Sequence, residues 1–182
     1  MIEVERKYRC SSSVVAAVET VAERVAAPVD QTDLYLNSPD RDFAETDEAL
    51  RIRSTRTAEE HIEVVITFKG PRSPGAAKAR REHEVGVDEF DETAAIFDAL
   101  GYITVAEVQK HRRQYDWAGV DVSIDTLGSG DRYIELERTV KEAEAVDEAD
   151  AEIVARSAEL GLSPDDLEPR SYLELTLEYE RE

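Results

Sequence analysis

Ile2-Glu3-Val4-Glu5-Arg6-Lys7-Tyr8-Arg9-Cys10 is the stretch on which the fold is decided. It alternates. Ile2, Val4 and Tyr8 share one parity, and Glu3, Glu5, Lys7 and Arg9 share the other. Period-two alternation predicts a β-strand whose two faces meet different surroundings. The ordinary arrangement puts the apolar face in a core and the charged face in water. Later strands repeat the pattern with charges of both signs, so the question is whether those charges face solvent or each other.

Working outward, Ser11-Ser12-Ser13 supplies helix N-caps, and Val14, Val18, Val21 and Val25 follow at helical spacing up to Pro28. Val29–Leu36 reads as a strand, Asn37-Ser38-Pro39-Asp40 as a turn and residues 41–47 as a polar connection. Ala49–Thr55 sets Leu50 and Ile52 against Arg51 and Arg53. Ile62–Lys69 is β-branched and aromatic. Residues 70–78 read as a Gly/Pro/Ser/Ala-rich loop, with Lys78 a solvated loop lysine. Arg80–Val87 alternates again. Asp91 caps a short helix to Leu100, closed by Gly101. Val105–Trp117, Val120–Asp125 and Tyr133–Arg138 are further strands. Residues 146–160 form a helix, Ser163-Pro164 starts a short turn, and Tyr172–Tyr179 alternates as a last strand. This is a mainly β, α+β pattern rather than a doubly wound parallel sheet.

The 182 residues are most simply one domain, 1–182, with hydrophobic residues at 41%. No apolar run has spanning length and the N-terminus carries no signal-peptide core, so the chain reads as cytoplasmic. One cysteine, Cys10, excludes an internal disulfide. The net charge of −20 argues against nucleic acid and against an anionic membrane as partners. Lysine is scarce, with 5 lysines in the 22 basic residues. An acidic, lysine-poor surface fits adaptation to high salt, where self-repulsion is screened.

Collecting the charged parity of the strands gives Glu3, Glu5, Glu82, Glu84, Asp125, Glu135 and Glu137 against Lys7, Arg51, Arg53, Lys69, Arg80, Lys110 and Arg112. The two sets balance, although acids outnumber bases 42 to 22 in the whole chain. A wet sheet face with cross-strand ion pairs would explain any single strand. All the strands together point instead to a closed antiparallel barrel with charges lining its interior. Such a lining suits one ligand class. Arginines and lysines bind polyphosphate oxygens, and paired carboxylates hold Mg2+ or Mn2+. His61, His83 and His111 lie on the parity opposite most of these charges and read as surface or packing residues. Trp117 reads as core or rim and Cys10 as packed. Tyr35 and Tyr133 either flank a ligand or pack across strands.

These residues resemble the CYTH superfamily, the triphosphate tunnel metalloenzymes, and within it the class IV adenylyl cyclase-like branch. The resemblance rests on an ordered series: Glu3-x-Glu5-x-Lys7, Gln31-x-Asp33-x-Tyr35, Ala49-Leu50-Arg51-Ile52-Arg53, Thr67-Phe68-Lys69-Gly70-Pro71, Arg80-x-Glu82-x-Glu84, Lys110-x-Arg112, Asp125 with Leu127-Gly128, Glu135-x-Glu137 and Ser171-Tyr172-x-Glu174-Leu175.

The resemblance implies an eight-stranded antiparallel β-barrel tunnel with helices packed outside, an enzyme acting on a small-molecule triphosphate. Glu3, Glu5, Glu135 and Glu137 would bind the metal. Lys7, Arg51, Arg53, Lys69, Arg80, Lys110, Arg112 and Arg170 would bind the triphosphate. Glu3, Glu5, Lys7, Lys110 and Asp125 would be the catalytic set. The expected activity is that of a cyclase turning ATP into cyclic AMP and pyrophosphate. A triphosphatase acting on tripolyphosphate, thiamine triphosphate or a nucleotide, and a non-catalytic binding module, are the alternatives. The first motif opens with Glu3, where some cyclases carry histidine. A homodimer is left open.

Overall fold

The computed structural model describes residues 2–71 and 78–179, with the backbone alone at Lys78. Most of the loop expected over 70–78, and the Lys78 side chain with it, lie outside the described residues.

The first strand is β1 (Ile2–Arg9), followed by helix α1 (Ser12–Val21) and a two-residue strand, β2 (Glu23–Arg24). Then come β3 (Val29–Asn37), the single turn α2 (Phe43–Thr46), β4 (Ala49–Arg56), β5 (Ile62–Lys69) and β6 (Lys78–Val87). Helix α3 (Phe90–Ala99) leads to β7 (Ile103–Trp117), β8 (Val120–Leu127) and β9 (Arg132–Val140). Helices α4 (Val146–Glu159) and α5 (Tyr172–Tyr179) complete the order. No helix among the described residues is long and apolar enough to cross a membrane.

The strands run β7-β3-β4-β5-β6-β1-β9-β8, and β8 pairs back onto β7. Every pairing is antiparallel, so eight strands close into a barrel and β2 adds only a short edge to β7. Closure removes the free edges that an open sheet of this length would expose.

The apolar parity faces outward, and helices cover much of it. Val4 of β1, Val122 and Ile124 of β8, and Ile134 and Leu136 of β9 pack against Val14 and Val18 of α1 and Ile153 of α4. On the other side Leu36, Leu50, Ile52 and Val64 join Phe43 and, on α3, Phe90, Ala94 and Phe97. The charged parity is thereby turned into the barrel.

Four expectations need correction. Helix α1 stops at Val21 instead of continuing to Pro28. Val14 and Val18 are buried, whereas Val21 and Val25 are about half exposed, so the apolar contacts that favour the helix end after Val18. The connection at 41–47 contains α2, capped by the Asp42 carboxylate accepting from the Ala44 N–H at 2.9 Å. Residues 172–179 form a helix, not a strand. Their period-two pattern has no sheet edge to join, because every barrel strand already has two neighbours. At α3 the N-cap is Glu89 rather than Asp91, and Gly101, at φ 88°, closes the turn after it.

Candidate functional site

One cavity of about 460 Å³ fills the barrel interior and opens between α2 and α5. Glu3, Glu5, Lys7, Arg51, Arg53, Lys69, Arg80, Lys110, Arg112, Glu135 and Glu137 all line it, as do Glu82 and Glu84. Strand parity explains the convergence, since each residue occupies an alternate position on its strand and the barrel turns that parity inward.

The cations cluster around two buried carboxylates. Asp33 on β3 is 0% exposed and accepts from Arg53 Nε and Nη2 at 2.5 and 2.7 Å. Lys110 Nζ and Arg51 Nη1 lie 3.6 and 3.8 Å from the same carboxylate. Asp125 on β8, also 0% exposed, accepts from Arg112 Nε at 2.7 Å and Nη2 at 2.5 Å. Arg112 reaches on to Glu135 at 2.6 Å. Burial by itself would raise both aspartates. Lys110, Arg53 and Arg51 around Asp33, and Arg112 and Lys110 around Asp125, instead hold them well below the usual carboxylate range. Lys110 feels the same crowd from the other side. Burial first, then Arg112 and Arg53, push its ammonium down to about 7. Arg51 Nε is buried and has no hydrogen-bond partner among the described residues.

The carboxylates on the neighbouring strands β1 and β9 behave differently. Glu5 sits directly opposite Glu137, and Lys7 opposite Glu135. Lys69 pairs with Glu82 and lies 3.4 Å from Glu3. Burial, then Glu3, Glu5 and Glu135, push the Glu137 carboxyl up to about 8, with Lys69 too weak to offset them. Burial also raises Glu3, with Glu82 adding to it and Lys69 opposing. Among the described residues, no three His, Cys, Asp or Glu side chains already converge as a ligand shell. The donors still fit a hard divalent cation. They are all oxygens, and their mutual repulsion is the field a cation relieves.

Two expected site residues stand outside the cavity lining. Asp125 lies behind it, bonded to Arg112. Arg170 donates to Glu168 from Nε at 2.7 Å and Nη2 at 2.6 Å, and also to Glu178. It thus ties down the segment entering α5. His61, His83 and His111 are exposed, as expected, and His111 Nδ1 meets Asp30 at 2.8 Å. Trp117 is buried under the Arg156 guanidinium, and burial pushes the Cys10 thiol up to about 11, which keeps it unreactive.

Two site residues were missed. Asp33 stood in the Gln31-x-Asp33-x-Tyr35 motif, and its inward parity on β3 was the available signal. Tyr172 comes from α5 and enters the barrel with Leu173 and Leu175. There it packs with Tyr35, Val108, Leu127 and Tyr133. Tyr133 thus serves packing, whereas Tyr35 both packs and lines the cavity.

Residues 1–172 match the CYTH domain family. The chain belongs to the CYTH superfamily, the triphosphate tunnel metalloenzymes. Within this superfamily its likeness is to the class IV adenylyl cyclase-like branch. A Methanocaldococcus jannaschii protein named "Putative adenylate cyclase" is 33% identical over 177 residues, 96% of this chain and 98% of its own. A solved Pyrococcus horikoshii structure superposes with a TM-score of 0.91 at 36% identity, covering 97% of this chain and 99% of that one. A Hippeastrum protein, described as a "putative adenylyl cyclase" with a dominant triphosphatase activity, shares the fold at a TM-score of 0.65 and 15% identity. It covers 98% of this chain and 95% of its own. The CYTH chain therefore has the fold of an enzyme family whose members bind triphosphates and divalent metal in the tunnel.

Proposed function

We propose that the tunnel takes up ATP with Mg2+ or Mn2+ and acts as a class IV-type adenylyl cyclase. The observation that carries this reading is the uneven lining of one interior. Arg51, Arg53, Lys110 and Arg112 come from β4 and β7, while Glu3, Glu5, Glu135 and Glu137 come from the paired strands β1 and β9, with Lys7, Lys69, Arg80, Glu82 and Glu84 completing the lining. A polyanion suits the cations, and a divalent cation suits the β1–β9 carboxylates.

In this reading Arg51, Arg53, Lys69, Arg80, Lys110, Arg112 and Lys7 hold the non-bridging oxygens of the triphosphate. Glu3, Glu5, Glu135 and Glu137 hold the metal, which when bound neutralises phosphate charge and acidifies a coordinated hydroxyl. Asp125 keeps Arg112 aimed. The 3′-oxygen of ATP attacks the α-phosphorus, the bond to the β-phosphate breaks, and pyrophosphate leaves with its charge met by the arginines. The mouth adds Leu36, Phe43, Ala44, Leu173 and Leu177, an apolar lip beside the charged interior. That lip favours a triphosphate carrying an aromatic group over bare tripolyphosphate.

The second reading is a triphosphatase directing water at the terminal phosphorus. It is favoured by Glu3 at the head of the first motif and by the activity described for the Hippeastrum relative.

The test incubates the protein with ATP, tripolyphosphate and thiamine triphosphate separately, with Mg2+ or Mn2+, at high salt. Cyclic AMP with pyrophosphate is the expected product. Orthophosphate without cyclic AMP replaces the cyclase with the hydrolase. Binding without turnover leaves a non-catalytic module, and no binding overturns both catalytic readings.

A further inference from the structure

We infer that Tyr172 is a positioning residue, brought in from outside the barrel, that sets Lys7, Lys110 and Asp125 for the triphosphate; this rests on the triphosphate reading above. Lys7, Asp125 and Lys110 come from three different strands, β1, β8 and β7, and the side chain of Tyr172 touches all three. Its ring centroid is 4.0 Å from Lys7 Nζ and 4.8 Å from Lys110 Nζ. Its hydroxyl donates to Asp125 Oδ2 at 2.8 Å. Tyr133 packs against the same ring edge-on at 5.7 Å, so the ring is wedged from behind. It is 5% exposed.

The segment before it is fixed to β1. Leu167 bridges to Tyr8, and the Glu168 N–H donates to the Lys7 carbonyl at 2.8 Å. The Glu168 carboxylate, 3% exposed, takes Arg9 at 3.1 Å together with Arg170. Tyr172 is therefore anchored to the same strand that carries Lys7.

The chemistry of the contact matters. The carboxylates nearest these ammoniums lie in ion-pair range but beyond hydrogen-bond distance, with Glu135 at 4.0 Å from Lys7 and Asp33 and Asp125 at 3.6 and 3.9 Å from Lys110. A π face attracts an ammonium without accepting all of its N–H donors. The ring thus holds both cations in place and leaves donors for phosphate oxygens. A closer carboxylate would hold them too, but would compete with the ligand.

The test compares Tyr172→Phe and Tyr172→Leu with the wild type in two readouts. The first is NMR of lysines labelled at Cε. Two ε-methylene signals should be shifted upfield by the ring current in the wild type and in Tyr172→Phe, and should return to ordinary positions in Tyr172→Leu. The second is tripolyphosphate affinity by calorimetry with steady-state kinetics. Tyr172→Leu should weaken binding and raise KM about tenfold. Tyr172→Phe should leave both within about twofold while lowering kcat, because Asp125 loses a donor but the lysines keep their ring. If Tyr172→Leu does not melt cooperatively, Tyr172→Met carries the same readouts with a flexible side chain of similar bulk. Upfield lysine signals that persist in the non-aromatic variant, or wild-type affinity and turnover in that variant, overturn the inference alone. A wild-type protein that binds no tripolyphosphate overturns the functional reading beneath it, whatever the lysine signals show.

Discussion

Asp33 and Glu137 are carboxylates in the interior of the same barrel, and the structure treats them in opposite ways. Asp33 is surrounded by Arg53, Lys110 and Arg51 and is held far below the ordinary carboxylate range. Glu137 faces Glu3, Glu5 and Glu135 and is pushed up to about 8. Burial acts on both in the same direction, so the difference comes from the neighbours. Around Asp33 the carboxylate is outnumbered by cations. Around Glu137 three other carboxylates outweigh Lys69, and a proton or a cation relieves their repulsion.

The sharpest way to break this comparison is Asp33→Asn. It strands buried cations without their shared carboxylate, and should cost about 3–5 kcal/mol of stability in denaturant unfolding, part of it recovered by adding tripolyphosphate. Unchanged stability would mean that Asp33 does not organise the cations. Glu137→Gln should do the reverse. Turnover falls about 10²–10³-fold in a metal-dependent assay, while the melting temperature without metal at pH 8 holds or rises. Full activity in this variant and in Glu3→Gln would remove the metal assignment. Arg51→Ala leaves Asp33 with Arg53 and Lys110, so folding should survive. Triphosphate affinity should drop roughly tenfold to a hundredfold by calorimetry; unchanged affinity would place Arg51 outside the binding set.

A pH series sharpens the same contrast. The folded pKa of Glu137 lies above its unfolded value near 4.5. The folded state therefore holds the proton longer, and this contribution to stability is full below about 4.5 and lost as the pH rises through about 8. Melting temperatures between pH 5 and 9 should fall relative to Glu137→Gln, and saturating Mg2+ or Mn2+ should flatten the difference. The smallest effect belongs outside the barrel. His111 and Asp30 form an exposed pair, and His111→Ala should change stability by less than about 0.5 kcal/mol.

Much of this was legible from residue order. The alternation of β1, β4, β7 and β9 was read correctly, and a balanced set of charges on one parity is hard to place anywhere but inside a closed barrel. The spacing of Glu3-x-Glu5-x-Lys7 and its partners points to the superfamily from residue order alone. The last segment is where residue order misleads. Tyr172–Tyr179 alternates like a strand, but whether a segment becomes a strand depends on a free edge, and edges belong to the assembled sheet. Arg170 is expected with the phosphates by its sequence position, and which carboxylates it meets, Glu168 and Glu178, is set by how the chain crosses the end of β1.

By itself, then, the sequence determined which side chains share a face, because the strand period of two is local. It also determined that cations and carboxylates together would line the interior. Only the tertiary structure decided which charge meets which. Asp33 meets Arg53 directly across the β3–β4 register and Lys110 diagonally across β3–β7, and Glu5 meets Glu137 through the β1–β9 pairing. Tyr172 reaches Lys7, Lys110 and Asp125 because a closed barrel leaves the last segment no edge to extend and only an end to cover.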